Sequence, residues 1–472
     1  LVAMLLPVSL IGQLNLKWSD QIVVNSDRNL GYARPKIALT SNNTPIVMWS
    51  KRSNKEVYTS LREGDTFKSP VKITPSSINA FAQDWAGPDM VAWGKNVYVI
   101  FEAEPHGVGP IYLCTSKDGG NSFGDTVKVS DNRLTRFPTL AVAPNGRLYV
   151  AFMVFETGDK DPHYAVSTSN DGGRTFSKET KATGTAPGES CDCCPAYLLA
   201  SNTGVTLLFR NNDNNVRDIW ASVSKDLGKT FSLSKKIDNS GWVIGGCPSS
   251  GPSGILMKDS LASVWMDGSS GNSRVMIGTS DIDKLDIGIN QNISNDVPST
   301  ANQNFPIIAG NGNIIGAVWE EINQGKRYIK LATGNKGPRS LINQKAAVVN
   351  LDTSTLAKNP HMVYADGIFH ITWQDNRTFK IYYRAASIVG FVSITENKKP
   401  KIEISPNPSA GVFYIQNTND VDEITVQNYQ GKVIKRVKGS IKDLDLTEYS
   451  QGIYFVSFIE GNGRRSFKLQ KE

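Results

Sequence analysis

One repeat restricts this fold more than any other feature of the sequence. Seven times between residues 13 and 390, a proline is followed by a short apolar stretch, a turn, and an alternating apolar stretch that ends on an aromatic residue. The copies are 34–49, 87–101, 137–152, 194–209, 251–265, 305–319 and 359–373. Their prolines, Pro35, Pro88, Pro138, Pro195, Pro252, Pro306 and Pro360, lie 53, 50, 57, 57, 54 and 54 residues apart. The stretches are too short for helices and alternate like strands. About four strands per unit at a period near 50 is the pattern of a β-propeller, in which each unit buries its apolar faces only against its neighbours. The expected fold is therefore all-β: a propeller of seven blades, with six as the alternative, followed by a small C-terminal β-sandwich.

Composition agrees and removes several function classes. The chain has 472 residues, is 39% hydrophobic and carries 41 Gly and 22 Pro, which suits a turn-rich folded protein and excludes a disordered or collagen-like one. Lys and Arg exceed Asp and Glu by only 51 to 44, and the excess is scattered, so no nucleic-acid partner is expected. The four histidines, His106, His163, His361 and His370, form no His-Glu-x-x-His motif, which excludes a zinc-protease helix.

In four copies the third strand runs into a shared turn. Ser116, Asp118, Gly120, Ser122 and Phe123 recur as Ser169, Asp171, Gly173, Thr175 and Phe176, and again as Ser224, Asp226, Gly228, Thr230 and Phe231. Ser60, Gly64, Thr66 and Phe67 keep everything but the Asp. Oxygen acceptors that can take turn N–H groups, with a glycine free to adopt a left-handed backbone, describe a structural hairpin. This turn is the Asp box, and residues 13–393 resemble the sialidase and BNR-repeat propellers. Residues 18–27 mirror the outer strand that follows the first clean Asp box, and the seventh copy lacks such a strand, so the N-terminal strand is expected to complete the last blade and close the ring.

In such a ring, the loops leading into each blade and those joining its second and third strands share one face, around the channel mouth. The lead-in loops carry Arg34, Asp84, Trp85, Arg136, Trp242 and the cysteines; the other set carries Glu102, His106, Arg210, Arg217, Glu320, Asp375 and Arg377. Arginine grips a carboxylate with two parallel bonds, so these loops suit a glycan or acidic small ligand. Exo-sialidases, by resemblance, take the substrate carboxylate on three arginines and use a Glu-activated Tyr with an Asp acid/base. The positions here that could serve are Arg34, Arg136, Arg210, Arg217, Arg377 and Asp84. Arg136-Phe-Pro138 resembles the family's Arg-Ile-Pro motif but stands in the third repeat rather than the first. Tyr364 and Tyr382 lie near the right end of the chain for a nucleophile, yet alternation makes them strand packing residues. The expected function is a sialidase-like propeller that binds a glycan or acidic ligand at the loop face, with hydrolysis by an exo-acting sialidase as the alternative.

Cys191, Cys193, Cys194 and Cys247 fall in neighbouring lead-in loops, while Cys114 stands alone on a third strand. In an exported protein the first expectation is disulfides, for instance Cys247 with one of the other three. The alternative is a thiolate site for copper or zinc, which would make the protein a metal-binding propeller; otherwise no cofactor is expected.

The chain's ends read as targeting. Residues 1–12 are apolar and too short to span a bilayer, which fits the remnant of a signal peptide. After a linker at 394–401, residues 402–472 carry Ser405-Pro-Asn-Pro408, Gly411, Gln430-Gly431, Gly452 with Tyr454, and a basic close at Arg464, Arg465 and Lys468. These resemble the type A C-terminal sorting domain of the type IX secretion system. The resemblance implies an exported protein, at the cell surface or outside the cell, partnered by that machinery and without a transmembrane segment when mature.

Overall fold

The structure, a computed structural model, describes residues 14–391 and 402–472 except 53–55, 131–133, 157, 159, 295–296, 417, 419–420 and 461–462. The apolar leader at 1–12 and the linker at 394–401 lie outside the described residues. The chain divides into two compact units, Leu1–Phe391 and Val392–Glu472.

Seven antiparallel sheets follow one another along the first unit. Their innermost strands are Ala33–Leu39, Asp89–Trp93, Thr135–Val142, Tyr197–Ala200, Ser253–Met257, Asn302–Gly310 and Ala357–Ala365, which open blades 1 to 7. All seven repeat prolines line one channel, so the radial arrangement expected from their spacing is present. The seven aromatics that end the copies, Trp49, Phe101, Phe152, Phe209, Trp265, Trp319 and Trp373, are each under 2% exposed. Each lies on the second strand of its blade within the apolar layers of the ring. Cutting one to alanine removes about 3–5 kcal/mol of packing.

The N-terminus closes the ring. Leu16–Trp18 and Ile22–Asn25 pair antiparallel with Lys380–Ile388, the third strand of blade 7, and supply the fourth strand that the seventh copy lacks. Further bonds between blades 7 and 1 come from the Arg34 N–H to Gln374 Oε1 at 2.6 Å and the Ile37 N–H to His361 Nδ1 at 3.2 Å.

The Asp boxes hold their turns as the residue types require. Asp171 accepts from the Thr175 N–H at 3.0 Å and hydroxyl at 2.7 Å, while Ser169 Oγ accepts from the Gly173 N–H at 2.9 Å. The same bonds recur around Asp118 and Asp226. These donors hold both carboxyls down at about 2. Gly173 sits at φ +83°, and a Cβ there would stand 2.4 Å from Leu113 Cδ2 in the preceding blade. The glycine thus serves the turn and the blade-to-blade packing together. The damaged copy at Ser60 becomes a strand hairpin instead, pairing Arg62 with Phe67 and Glu63 with Thr66.

The second unit is a small β-domain of a three-stranded and a four-stranded sheet around Phe413, Ile424, Val426, Tyr454, Val456 and Phe458. No helix among the described residues is long and apolar enough to cross a membrane.

Candidate functional site

The lead-in loops are built on a repeated backbone irregularity. In blades 1, 3, 6 and 7 the residue before the repeat proline, Arg34, Phe137, Phe305 and Asn359, has φ between +49° and +54°. In the same four places the first strand slips register against the second. Left-handed backbone at a non-glycine is costly and survives only where the surroundings hold it. At Phe305 the adjacent Asn304 side chain accepts the N–H at 2.8 Å, and at the other three the hold comes from side chains at the end of second strands, which reach across to the next blade. Glu102 accepts from the Phe137 N–H at 3.3 Å, Glu320 from the Asn359 N–H at 3.0 Å, and Gln374 from the Arg34 N–H.

Several residues expected at the mouth as ligand-binding groups are therefore spent inside the ring, and the expectation is corrected for them. Arg210 is fully buried and donates to the carbonyls of Ser250, Arg217 and Met266 at 3.2, 2.6 and 2.7 Å, bracing blade 4 against blade 5. Glu102 is 1% exposed and also accepts from the Gly107 N–H and the His106 ring. Glu320 is buried, and burial raises its pKa. Arg217 donates to the Ile244 carbonyl and to Cys191 Sγ at 3.0 Å. Arg136 lies over the Phe155 ring at 4.3 Å and beside Gly107. Arg377 is exposed on a loop that Asp375 caps through backbone N–H groups. The arginines proposed from the sequence do not converge on one point.

What converges at the mouth keeps Asp84 and Arg34 from the expected residues and adds Arg52, Lys358 and Gln374. Asp84 takes Arg52 on one oxygen, with Gln374 Nε2 at 3.0 Å, and Lys358 on the other at 3.0 Å; its carbonyl accepts from Arg34 Nη1 at 3.2 Å. Burial works to raise the Asp84 pKa, but Lys358 and Arg52 outweigh it and the carboxyl is held below its ordinary value. Two cations thus share one carboxylate, and a third, Arg34, binds the backbone of the same residue. The Nε atoms of Arg34 and Arg52 are buried without a hydrogen-bond partner. Trp85 follows Asp84, lines the same opening, and packs edge-on against Phe81, His106 and Phe137 at 5.9, 6.1 and 5.3 Å.

Inside the channel lies a polar group that the sequence reading missed. Lys36 and Asp89 pair at 3.0 Å, Thr139 donates to Asp89 at 2.8 Å, and His361 faces both. Burial depresses Lys36 and pushes His361 well below its ordinary value, Lys36 adding to the latter. The Ile37 N–H fixes His361 with its proton on Nε2. Lys36, Asp89, Thr139 and His361 each directly follow a repeat proline, a position that lines the channel.

No tyrosine–carboxylate pair stands among the mouth cations described. Tyr58 donates to Glu56 at 2.7 Å, but its ring stacks on Trp49 and its pKa is pushed up to about 12 by burial and then Glu56. Tyr364 packs on Phe369 and Tyr382 on Trp373, as alternation implied.

Cys193 and Cys247 form a disulfide that joins the lead-in loops of blades 4 and 5. Cys191 and Cys194 are buried thiols, as is Cys114, whose Sγ donates to the Gly124 carbonyl. The sulfurs of Cys191, Cys193 and Cys194 lie within 4.8 Å of one another. A four-thiolate copper or zinc site would need this disulfide reduced, because metal ligands must be thiolates.

With this geometry in place, the class is defined: an Asp-box β-propeller carrying a C-terminal export domain. Residues 15–241 match the BNR repeat-like domain, and residues 403–472 match the secretion system C-terminal sorting domain. The propeller thus carries a BNR repeat-like domain over residues 15–241, and the chain ends in a type IX sorting tail that marks it as an exported protein. No curated protein matches it. Among solved structures it is similar to a protein of unknown function from Dyadobacter fermentans, at 12% identity over 79% of this chain and 99% of that one, with a TM-score of 0.46. It is also similar to Trypanosoma rangeli sialidase in complex with the inhibitor DANA, at 11% identity over 93% and 84% of the two chains, TM-score 0.45. A polysaccharide lyase of family PL25, an ulvan lyase, is similar at 9% identity over 77% and 95%, TM-score 0.49.

Proposed function

We propose that this exported propeller binds an acidic saccharide at the channel mouth, its carboxylate taken by Arg34, Arg52 and Lys358 and its ring lying against Trp85. The observation that carries this reading is the gathering of cations there: Arg52 and Lys358 share the single Asp84 carboxylate, Arg34 donates to the Asp84 backbone carbonyl, and the Nε–H donors of both arginines are still unpaired. Arg34 stays charged at neutral pH, because burial lowers its pKa only to about 10. An anion that completes these hydrogen bonds replaces water with fixed, preorganised donors. An aromatic face beside them accepts the apolar face of a sugar ring.

Binding without turnover is favoured over exo-sialidase action by what surrounds the cations. The tyrosines named above are packed into strands, and Tyr58 has the raised pKa of a poor nucleophile. Calorimetric titration with sialyllactose and with a uronic-acid oligosaccharide, each beside its reduced, carboxylate-free analogue, tests the reading. Binding of the acids at least tenfold tighter than the neutral sugars, weakened at least tenfold in Trp85→Ala and in the Arg52→Ala/Lys358→Ala double variant, is expected. Equal affinity for acid and neutral sugars, untouched by these substitutions, rules it out. Turnover of a fluorogenic sialoside by the wild type would establish the enzymatic alternative.

A further inference from the structure

The four clustered cysteines are in two different states within touching distance. Cys193 and Cys247 are bonded to each other. Cys191 and Cys194, spaced as Cys-x-x-Cys, remain thiols with their sulfurs 2.8 Å apart. Cys191 Sγ is also 3.6 Å from Cys193 Sγ, one end of the disulfide, and Cys194 Sγ is 4.0 Å from it. Arg217 donates to Cys191 Sγ at 3.0 Å, and the fully buried Arg210 guanidinium lies nearby. Cys247, at the far end of the bond, is exposed.

From this geometry we infer that the cluster is an internal thiol–disulfide exchange site, with Cys191 as the attacking thiolate and Cys247 as the solvent-facing leaving group. Cys191 thiolate bonds to Cys193 Sγ while the Cys193–Cys247 bond breaks, and Cys247 leaves as a thiolate that takes a proton from water. Cys194 then gives up its proton and bonds to Cys191 Sγ, releasing Cys193. One disulfide becomes one disulfide and two thiols become two thiols, so no oxidant or reductant is consumed. The bridge passes from between blades 4 and 5 to within a single loop, which frees the loop that carries Trp242 and Cys247. The groups facing Cys191 agree with its role. The hydrogen bond from Cys194 lowers its pKa and Arg217 and Arg210 lower it further, against burial, while Cys194 itself is raised by burial and the buried Tyr164 stays neutral. Thiolate character beside guanidinium groups is what makes a cysteine reactive.

Trypsin reports the exchange directly, since Cys191, Cys193 and Cys194 fall in peptide 182–210 and Cys247 in peptide 237–258. Full-length protein without reductant is incubated at pH 8 with a maleimide on a polyethylene glycol chain, a reagent too large to enter the buried cluster. In the wild type, Cys247 becomes labelled over time as the linkage between the two peptides disappears. In Cys191→Ser the linkage persists, which shows that the variant folds, and labelling of Cys247 is at least tenfold slower. Cys247 that stays unlabelled and linked in the wild type overturns the inference. So does labelling at equal rates in both proteins, or purified protein that holds sulfur-bound zinc or copper and no linked peptides.

Discussion

Replacing His370 by Gln should remove a defined part of the propeller's sensitivity to acid. At the seam where blade 7 meets blade 1, Arg62 Nη1 donates to Tyr383 Oη at 3.0 Å, and the Tyr383 hydroxyl is 2.7 Å from His370 Nδ1. With its oxygen already accepting from Arg62, the hydroxyl donates to Nδ1, so this nitrogen carries no proton. Protonating it breaks the chain and sets an imidazolium beside Arg62. Burial first, and Arg62 second, lower the His370 pKa from 6.5 to about 4. A histidine with a depressed folded-state pKa contributes fully above pH 6.5, because neither state then holds the proton. Between pH 6.5 and 4 the unfolded chain binds a proton that the folded chain refuses, so stability falls by about 1.4 kcal/mol per pH unit and levels off below 4. From pH 7 to 4.5 the loss from this group is about 2 kcal/mol. His361 acts in the same direction, whereas Asp238, raised to about 6 by burial and by Asp218 and Asp267, opposes it below pH 6. Both are unaltered in the variant and cancel from the comparison. Urea unfolding of wild type and His370→Gln at pH 7, 6, 5 and 4.5 should show the two curves converging as pH falls, the variant losing about 2 kcal/mol less across the range. The same pH dependence in both proteins would refute the reasoning.

Three further outcomes follow from the same geometry. Gly173→Ala puts an L side chain at φ +83° against Leu113, and thermal unfolding should show a loss of about 1–3 kcal/mol with the channel mouth unchanged. Arg210→Lys abandons the planar fork that serves three carbonyls in blades 4 and 5 and should cost about 2–4 kcal/mol in urea unfolding, far more than an exposed Arg377→Lys. Deleting residues 403–472 should leave the propeller's thermal transition in place, since it has its own core, while the truncated protein is found in the periplasm rather than outside the cell.

What the sequence discloses here is whatever repeats. Proline spacing, the strand-ending aromatics and the Asp boxes each recur, so the ring, its buried layers and its closing strand are legible from residue type and period alone. The mouth does not repeat, so residue type and period say less there. Loop position placed Glu102, Arg210 and Glu320 on the right face, but whether such a side chain meets solvent depends on which backbone group of the next blade it can reach. Glu102 and Glu320 turn inward to satisfy the N–H groups of the left-handed residues Phe137 and Asn359, and Arg210 turns inward to satisfy carbonyls of blades 4 and 5. Those bulges also shift the strand alternation in blades 1 and 7, which is why Lys36 and His361 line the channel although they sit in apolar strands. A charged residue directly after a repeat proline was the available signal. Arg52 and Lys358 reach Asp84 from blades 1 and 7, a meeting that only ring closure produces. The cysteine pairing had three candidates for Cys247, and the approach of the two loops selects Cys193.

A structure of the protein with an acidic oligosaccharide bound tests most directly whether the channel mouth is where ligand binds. The ligand's carboxylate should lie within about 3 Å of Arg34, Arg52 or Lys358, as a charge-assisted hydrogen bond requires, with a sugar ring over Trp85. A saccharide seated on the Asp-box face or along the outer strands, with Arg34 and Arg52 untouched, would contradict it.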